Sequence, residues 1–209
     1  GIRLIERRID SFTETRALVA DIADVFRATP IEGADGIAGR LAQADADLAA
    51  LAEAAEAPRD AMPKVLLLVS SEPFLAVGSG NYLDELLAAN GLGNALARKG
   101  WSEIPAESIA ALAPSAILGV VESETGAARM RAAIERLPWT EGPSPRFAVI
   151  VRPELLAPSL VAARRRGSLA TLYREALAPT GATTPASGSA RESTSGRDTS
   201  SDARPKGAS

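Results

Sequence analysis

The chain has 209 residues, of which 46% are hydrophobic and 23% charged, and its formal net charge is −3. This composition is typical of a globular protein. The weak negative charge and the 4% aromatic content argue against a nucleic-acid surface, which needs clustered Lys and Arg or stacking rings. The sequence has no Cys and no His, which excludes disulfides, Cys/His zinc sites and imidazole catalysis within this chain. No apolar run approaches the roughly 18 residues of a transmembrane segment.

The first predicted elements are a short strand and two helices. An apolar start, Gly1 to Ile5, is compatible with a strand, and Asp10-Ser11 offers a helix cap before Phe12. The first helix is then predicted from the apolar residues that recur on one helical face, Leu18, Ile22, Val25 and Phe26. Thr29-Pro30 is expected to end it. A second, long helix is predicted from Gly33 to Ala57, with a narrow apolar stripe at Ile37, Leu41, Ala44, Leu48 and Leu51.

The pattern changes after Pro58 to alternating strands and helices. Continuous apolar runs, which indicate strands buried on both faces of a parallel sheet, occur at 64–70, 116–121 and 147–151. Helical segments are predicted at 81–89, from Ile104-Pro105 to the residue before Pro114, at 125–137 and at 160–177. This order predicts a right-handed three-layer α/β unit.

The chain is expected to divide into four parts. Residues 1–30 are predicted to be the end of a first lobe, 31–60 a spine helix and linker, 61–178 a C-terminal α/β lobe, and 179–209 a tail. From Thr180 onward the tail contains no Val, Ile, Leu, Met or aromatic residue, so it is predicted to be disordered.

Two motifs favour structural roles over chemistry. Gly78-Ser79-Gly80 resembles part of a dinucleotide fingerprint, but it follows the strand too late and position 83 is Leu. What remains is a glycine-rich loop that leads into a helix N-terminus. Glu103 and Glu107 are spaced four residues apart, but a glycosidase pair needs a cleft and a second carboxylate with a tuned pKa, and nothing upstream supplies one. Composition alone therefore favours a structural role for Glu107, in which the helix dipole stabilises its charge.

Taken together, the segments resemble the cobalamin- and siderophore-binding proteins of ABC importers, two-lobed receptors joined by one helix. The resemblance covers about residues 1–178. It implies that most of a first lobe is missing, so that helix 33–57 or the segment Ile2 to Ile9 is expected to expose apolar surface. The resemblance is carried by KVLLLVS at 64–70, GSGNYLDELLAANGLGN at 78–94, Gly100-Trp101 and IPAESIAALAPSAIL at 104–118, together with the segment at Asp10 and the long helix. The sequence departs from the family where Pro105 replaces a Ser or Thr cap, Ser115 an Asp, and Arg152-Pro153 an aromatic residue.

The resemblance implies a periplasmic or otherwise extracytoplasmic binding protein and is compatible with association with a membrane. The sequence itself shows no signal segment. Such a protein captures a metal chelate (cobalamin, a ferric siderophore or haem), delivers it to an ABC permease, and makes or breaks no bond. Neither a cofactor nor a protein-bound metal is expected. Two alternatives stay open: a nucleotide-binding α/β enzyme fragment, and an interaction module of the same fold without transport.

The ligand site is expected in the loops at the carboxyl ends of the parallel strands. The residues predicted there are Glu72, Phe74, Ser79, Asn81, Tyr82, Trp101 and Arg152. Trp101 is the strongest of these, because it stands six residues before Glu107, as a cleft-facing Trp does in the family. The resemblance also implies that Glu107 docks on an arginine of the permease.

Overall fold

A computed structural model describes residues 9–28, 34–139, 146–165 and 167–178. The seven helices of this described part are α1 (Phe12–Ala28), α2 (Ala34–Ala55), α3 (Tyr82–Ala89), α4 (Ala106–Ala111), α5 (Glu124–Glu135), α6 (Leu160–Arg164) and α7 (Ser168–Leu177). Its six strands are β1 (Lys64–Ser71), β2 (Phe74–Val77), β3 (Gly93–Asn94), β4 (Trp101–Glu103), β5 (Ala116–Val121) and β6 (Arg146–Val151), and a 3₁₀ helix covers Pro153–Leu155. The predicted strand at the N-terminus, the Thr29-Pro30 stop and the predicted tail lie outside the described residues.

The strands form one mixed sheet in the order β4-β2-β1-β5-β6, and β3 pairs with the start of β1. Strands β1, β5 and β6 run parallel, as their continuous apolar sequences predict. Strands β2 and β4 are antiparallel additions to the β1 edge. The sequence did not indicate these additions, because segments of three or four residues carry too little of the period-2 pattern to stand out.

The sheet separates two apolar layers, which confirms the predicted three-layer α/β class. Alternate residues of β1 point to opposite faces: Val65 and Leu67 join the helices of one layer, Leu66 and Leu68 those of the other. The first layer contains α1, α2, α3, α6 and α7, and the second contains α4 and α5. All described residues belong to one compact unit, Gly1–Ala178.

Helix α1 begins with a capping box that its sequence encodes. The Ser11 hydroxyl accepts a hydrogen bond from the Glu14 backbone N–H (3.1 Å), and the Glu14 carboxylate accepts from the Ser11 N–H (3.0 Å). The chain before α1 is also tied to α3, because the Tyr82 N–H donates to the Asp10 carbonyl over 2.8 Å and the Phe12 N–H donates to the Glu85 carboxylate over 2.7 Å.

The long helix α2 is close to its predicted bounds, but the apolar surface expected on it is absent. Its stripe residues Ala44, Leu48 and Leu51 are buried against α1, α3 and α6. Two ion pairs reinforce this packing: Arg16 of α1 with Asp45, and Arg164 of α6 with Asp47. The predicted exposure is therefore wrong for the described part of α2, since neighbouring helices of the same chain cover the stripe. Of the segment Ile2 to Ile9, only Ile9 is described, and it is half-buried.

The single helix predicted over 160–177 is divided into α6 and α7. Gly167 lies between the two pieces, and glycine is the weakest helix former after proline. Arg164 turns towards Asp47 of α2 with a 2.8 Å hydrogen bond. Within the described residues no helix is both long and apolar enough to cross a membrane.

Candidate functional site

A cleft of about 440 Å³ opens at the carboxyl ends of the parallel strands. Strand β1 ends at Ser71 and β5 at Val121, and parallel pairing brings these ends to the same edge of the sheet. Helix α5 begins at that edge, with the Ser123 hydroxyl accepting from the Gly126 N–H over 3.2 Å as its cap. The cleft is lined by Val69, Ser70, Ser71, Glu72, Trp101, Val121, Glu122, Ser123, Gly126, Arg129, Met130 and Leu156.

Trp101 supplies the aromatic surface of this cleft. It opens β4 and pairs in register with Val77 at the end of β2. Its side chain is 41% exposed. Among the large hydrophobic residues that the structure describes, Val161 is the other exposed one. An indole with an open face offers apolar contact area to a ligand, which is a common feature of small-molecule sites.

The backbone that carries Trp101 is held by an unusually close approach at Gly78. The Gly78 N–H donates to the Gly100 carbonyl over 2.8 Å, and the Ser79 N–H donates to the Arg98 carbonyl over 2.8 Å. A Cβ atom at Gly78 would lie 1.8 Å from the Arg98 carbonyl oxygen, so only glycine fits there. The glycine-rich loop therefore serves to place the 98–101 segment beside α3.

A buried aspartate fixes the other side of the same loop. Asp84 is 3% exposed and accepts hydrogen bonds from the Arg59 guanidinium (2.8 Å) and the Gly80 N–H (3.1 Å). The Asn94 amide also donates to it over 3.3 Å. These contacts join the linker after α2, the glycine-rich loop and β3 behind the wall of the cleft.

Behind Trp101, two buried rings continue the aromatic contact. The Tyr82 ring lies 6.2 Å from the Trp101 ring between centroids, at an interplanar angle of 56°. Phe12 meets Tyr82 edge-on at 5.9 Å and 90°. Burial raises the pKa of the Tyr82 hydroxyl well above its usual range. That hydroxyl finds no hydrogen-bond partner in the described part of the chain.

The polar groups of the cleft are hydroxyls and charges of both signs. Ser70 accepts a hydrogen bond from the Glu72 N–H over 3.3 Å, and Glu72 itself is exposed. Glu122 and Arg129 are also exposed. Such a surface can meet hydrogen-bonding groups at the periphery of a ligand while Trp101 meets an apolar part of it.

The structure brings some of the sequence-predicted residues into the cleft and places others elsewhere. Glu72 and Trp101 line it, and Tyr82 lies directly behind Trp101. Ser79 and Asn81 lie in the supporting loop, where the Ser79 hydroxyl donates to the Ala97 carbonyl over 3.0 Å.

Phe74 and Arg152 do not line the cleft. The half-buried Phe74 packs against the second apolar layer. Arg152 lies 3.8 Å from Glu154 at the closest atoms of the two side chains, and it donates to the Val151 carbonyl.

The sequence analysis missed several lining residues around the second strand end. Glu122 and Ser123 directly follow the buried strand at 116–121, so the rule that selected Glu72 would have found them. Arg129 and Met130 lie on the second turn of α5, three and four residues after Gly126. This spacing is one helical turn, so they lie on the same face of α5 as Gly126. Leu156 directly follows the 3₁₀ helix, and no pattern in the sequence marks it as a lining residue.

The first turn of α3 has no open place for a phosphate. Its N–H groups at Tyr82, Leu83, Asp84 and Glu85 donate to Asp10 and to the side chain and carbonyl of Asn81. A phosphate at a helix N-terminus needs these donors. The geometry therefore gives no support to a nucleotide site at the glycine-rich loop.

Glu107 lies in the first turn of α4, a helix preceded by Pro105 without a side-chain cap. Its side chain is exposed. It is therefore placed where a partner could reach it, at little energetic consequence for its own fold.

Comparison with known proteins gives matches among solved structures alone: no protein-family model and no curated protein matches the chain. A possible iron-binding periplasmic solute-binding protein from Staphylococcus epidermidis is 14% identical with a TM-score of 0.60, over 81% of this chain and 65% of that one. The periplasmic heme-binding protein BhuT, in complex with two hemes, is 23% identical with a TM-score of 0.58, over 80% and 64%.

The periplasmic vitamin B12-binding protein BtuF of Vibrio cholerae is 16% identical with a TM-score of 0.53, over 86% of this chain and 68% of that one. The chain thus spans just under two thirds of the first two structures and just over two thirds of the third. The resemblance inferred from the sequence is confirmed at the level of the fold: over most of its length this chain has the fold of periplasmic heme-, iron- and vitamin B12-binding proteins. An ABC transporter substrate-binding protein from Listeria monocytogenes has this fold as well.

Proposed function

We propose that this chain forms one wall of the binding cleft of an extracytoplasmic solute-binding protein. That protein captures a metal chelate, either a corrinoid, a ferric siderophore or haem, and delivers it to an ABC permease without making or breaking a bond. The chelate brings its own metal, which suits a chain without Cys or His. In this proposal residues 1–30 end a first lobe, 31–60 form the spine helix and linker, 61–178 are the ligand-binding lobe, and 179–209 are a tail.

One observation carries the proposal: the cleft at the sheet edge combines an exposed indole with hydroxyls and charged groups. Its volume of about 440 Å³ lies within the range of small-molecule sites, roughly 300 to 1,000 Å³. Open α/β sheets bind ligands at this edge. The similar structures include binding proteins for iron, heme and vitamin B12.

The contact residues we propose are Glu72, Trp101, Glu122, Ser123 and Arg129. Phe74, Ser79, Asn81 and Arg152 would then support the cleft or its rim without touching the ligand. Glu107 is proposed as a permease contact, because it is exposed in the first turn of α4, which contributes no residue to the cleft lining, and charged groups of this kind fix docking orientation.

Binding is tested by titrating the 209-residue chain with haemin, cyanocobalamin and ferrioxamine B and following tryptophan fluorescence. We expect one of these chelates to quench the emission in a saturable manner, because Trp101 lies in the cleft and absorbing chelates quench nearby indoles. Trp101→Phe should abolish most of the quenching, whereas Trp139→Phe, which changes a half-buried Trp of the second apolar layer, should preserve it. Equal quenching in both variants would contradict the assignment of the cleft.

A further inference from the structure

The aromatic contact behind the cleft distinguishes Tyr82 from the residues that line it. Tyr82 is 2% exposed, so a ligand in the cleft cannot touch it while Trp101 keeps its place. Its ring lies between Phe12, which is 1% exposed, and the open indole of Trp101. Tyr82 is thus a buried ring that contacts the exposed indole.

The orientation of Trp101 depends on such a neighbour. Strand β4 has three residues, and pairing with β2 fixes the Trp101 backbone but leaves its side-chain torsions free. A side chain that is 41% exposed keeps a single rotamer only where something packs against it. The Tyr82 ring meets the indole at a tilted angle of 56°, a favourable arrangement for an aromatic pair.

Tyr82 itself is held from three directions. Its backbone N–H donates to the Asp10 carbonyl over 2.8 Å, the Asn81 side chain caps the helix that it begins, and Phe12 packs edge-on against its ring. The hydroxyl takes no part in this, since it has no hydrogen-bond partner within the described residues. The ring and not the hydroxyl therefore makes the contact.

We propose that Tyr82 is a positioning residue for the cleft, whose buried ring holds the Trp101 indole in the orientation that meets a ligand. The contact also links α1 to the cleft, because Phe12 is the first residue of α1. Only the ligand in this proposal depends on the proposed function. The orientation of Trp101 is a property of the free protein.

The experiment uses a Trp139→Phe background, in which Trp101 is the only tryptophan, since the chain has two. Three variants are compared in it: Tyr82→Phe keeps the ring and removes the hydroxyl, Tyr82→Leu removes the ring, and Phe12→Leu removes the ring on the far side of Tyr82. Time-resolved fluorescence anisotropy and acrylamide quenching report the local freedom of the indole, at a temperature where each variant is folded by circular dichroism.

We expect Tyr82→Phe to match the background and Tyr82→Leu to increase the fast anisotropy component and the quenching constant about twofold. Phe12→Leu lowers stability by loss of packing but should change the indole by much less, because Tyr82 still contacts it. The proposal is overturned if Tyr82→Leu leaves the indole as rigid as in the background, or if Phe12→Leu loosens it equally. Should Tyr82→Leu fail to fold, Tyr82→Met replaces it under the same criteria.

A second measurement separates this proposal from the proposed function. The same variants are titrated with haemin, cyanocobalamin and ferrioxamine B, with isothermal titration calorimetry as the readout. If the background binds a chelate, we expect Tyr82→Leu to weaken binding about tenfold and Tyr82→Phe to stay within twofold; equal affinities would overturn the positioning role. If the background binds none of them, the proposed function fails, while the anisotropy result still decides whether Tyr82 orients Trp101.

Discussion

At the scale of single residues, the cleft depends on a glycine that no other amino acid could replace. The Trp101 segment approaches the end of β2 so closely that the Gly78 N–H bonds directly to the Gly100 carbonyl at 2.8 Å. A side chain at position 78 would have to push these two backbone segments apart, which the close packing of a protein interior resists. The position of the indole in the cleft therefore follows from the absence of a side chain 23 positions earlier in the chain.

Gly78→Ala should destabilise the protein by about 3 kcal/mol, since its Cβ would lie 1.8 Å from the Arg98 carbonyl oxygen and the backbone must move. The Trp101 emission should shift to the red as the segment detaches. Gly36→Ala is the matched control: nothing lies within 4 Å of its Cβ and it is exposed in α2, so it should stabilise the helix by roughly 0.5 to 1 kcal/mol. Chemical denaturation measures both, and a Gly78→Ala variant as stable as the parent would contradict the close approach.

Glu85 makes the stability of the fold depend on pH. Burial raises the pKa of its carboxyl, the hydrogen bond from the Phe12 N–H lowers it, and the charges of Asp84 and Glu14 raise it again, with a net upward direction. A raised folded-state pKa favours the protonated form, so the stabilisation is present below the unfolded pKa and is lost as pH rises through the folded pKa. At neutral pH the charged carboxylate therefore opposes folding.

Glu85→Gln should accordingly raise the free energy of unfolding at pH 7 by up to about 1 kcal/mol, because the amide oxygen still accepts from the Phe12 N–H without a buried charge. The advantage should shrink as the pH falls towards 4, where the parent carboxyl is protonated as well. Urea denaturation at a series of pH values tests this. A variant less stable than the parent at pH 7 would show that the charge is favourable where it lies.

At the scale of elements, the sequence predicted the regular parts of the fold and the structure supplied the irregular ones. Strands β1, β5 and β6 were predicted because their apolar runs are continuous, and α2 because its apolar stripe extends over about four turns. Strands β2, β3 and β4 were missed, since each has four residues or fewer and depends on pairing partners far along the chain. The division between α6 and α7 was missed because apolar residues keep their helical spacing across it.

The candidate site shows the same limit. The rule that strand ends meet at one edge identified Glu72, and the spacing to Glu107 in the resembling family identified Trp101. The burial of Tyr82 could not be predicted, because it depends on Phe12 packing against α3 from 70 positions away. Leu156 enters the cleft only through the 3₁₀ turn that follows β6.

Asp84 joins three elements, so its loss should be costly. Asp84→Ala removes the acceptor of the Arg59, Gly80 and Asn94 hydrogen bonds and leaves these donors without their partner, which should lower the free energy of unfolding by about 3 kcal/mol. Asp60→Ala, which changes an exposed aspartate next to Arg59 in the chain, should change it by less than about 0.5 kcal/mol. Equal effects in the two variants, measured by thermal or urea unfolding, would show that the Asp84 contacts contribute nothing.

At the scale of the whole molecule, the proposed function involves a protein partner as well as a ligand. A receptor that docks on a permease gains orientation and encounter rate from exposed charges, and loses little stability by presenting them. Glu107 meets these conditions, because it is exposed in the first turn of α4.

Glu107→Gln should leave the free energy of unfolding within about 0.5 kcal/mol of the parent and leave ligand affinity unchanged, while chelate uptake by cells that carry the substitution falls several-fold. Glu135→Gln, at an exposed position on α5, is the control and should support normal uptake. Normal uptake with Glu107→Gln would remove this residue from the docking surface.

Hydrogen–deuterium exchange of the 209-residue chain, with and without chelate, shows whether the carboxyl edge of the sheet holds the ligand. Haemin, cyanocobalamin and ferrioxamine B are each added at up to about 1 mM, which is sufficient for an affinity as weak as roughly 100 μM. We expect at least one of them to slow exchange at 69–72, at the Trp101 segment and at 121–130, while α2 and β6 keep their rates. Protection confined to other elements, or no protection by any of the three, would contradict this expectation.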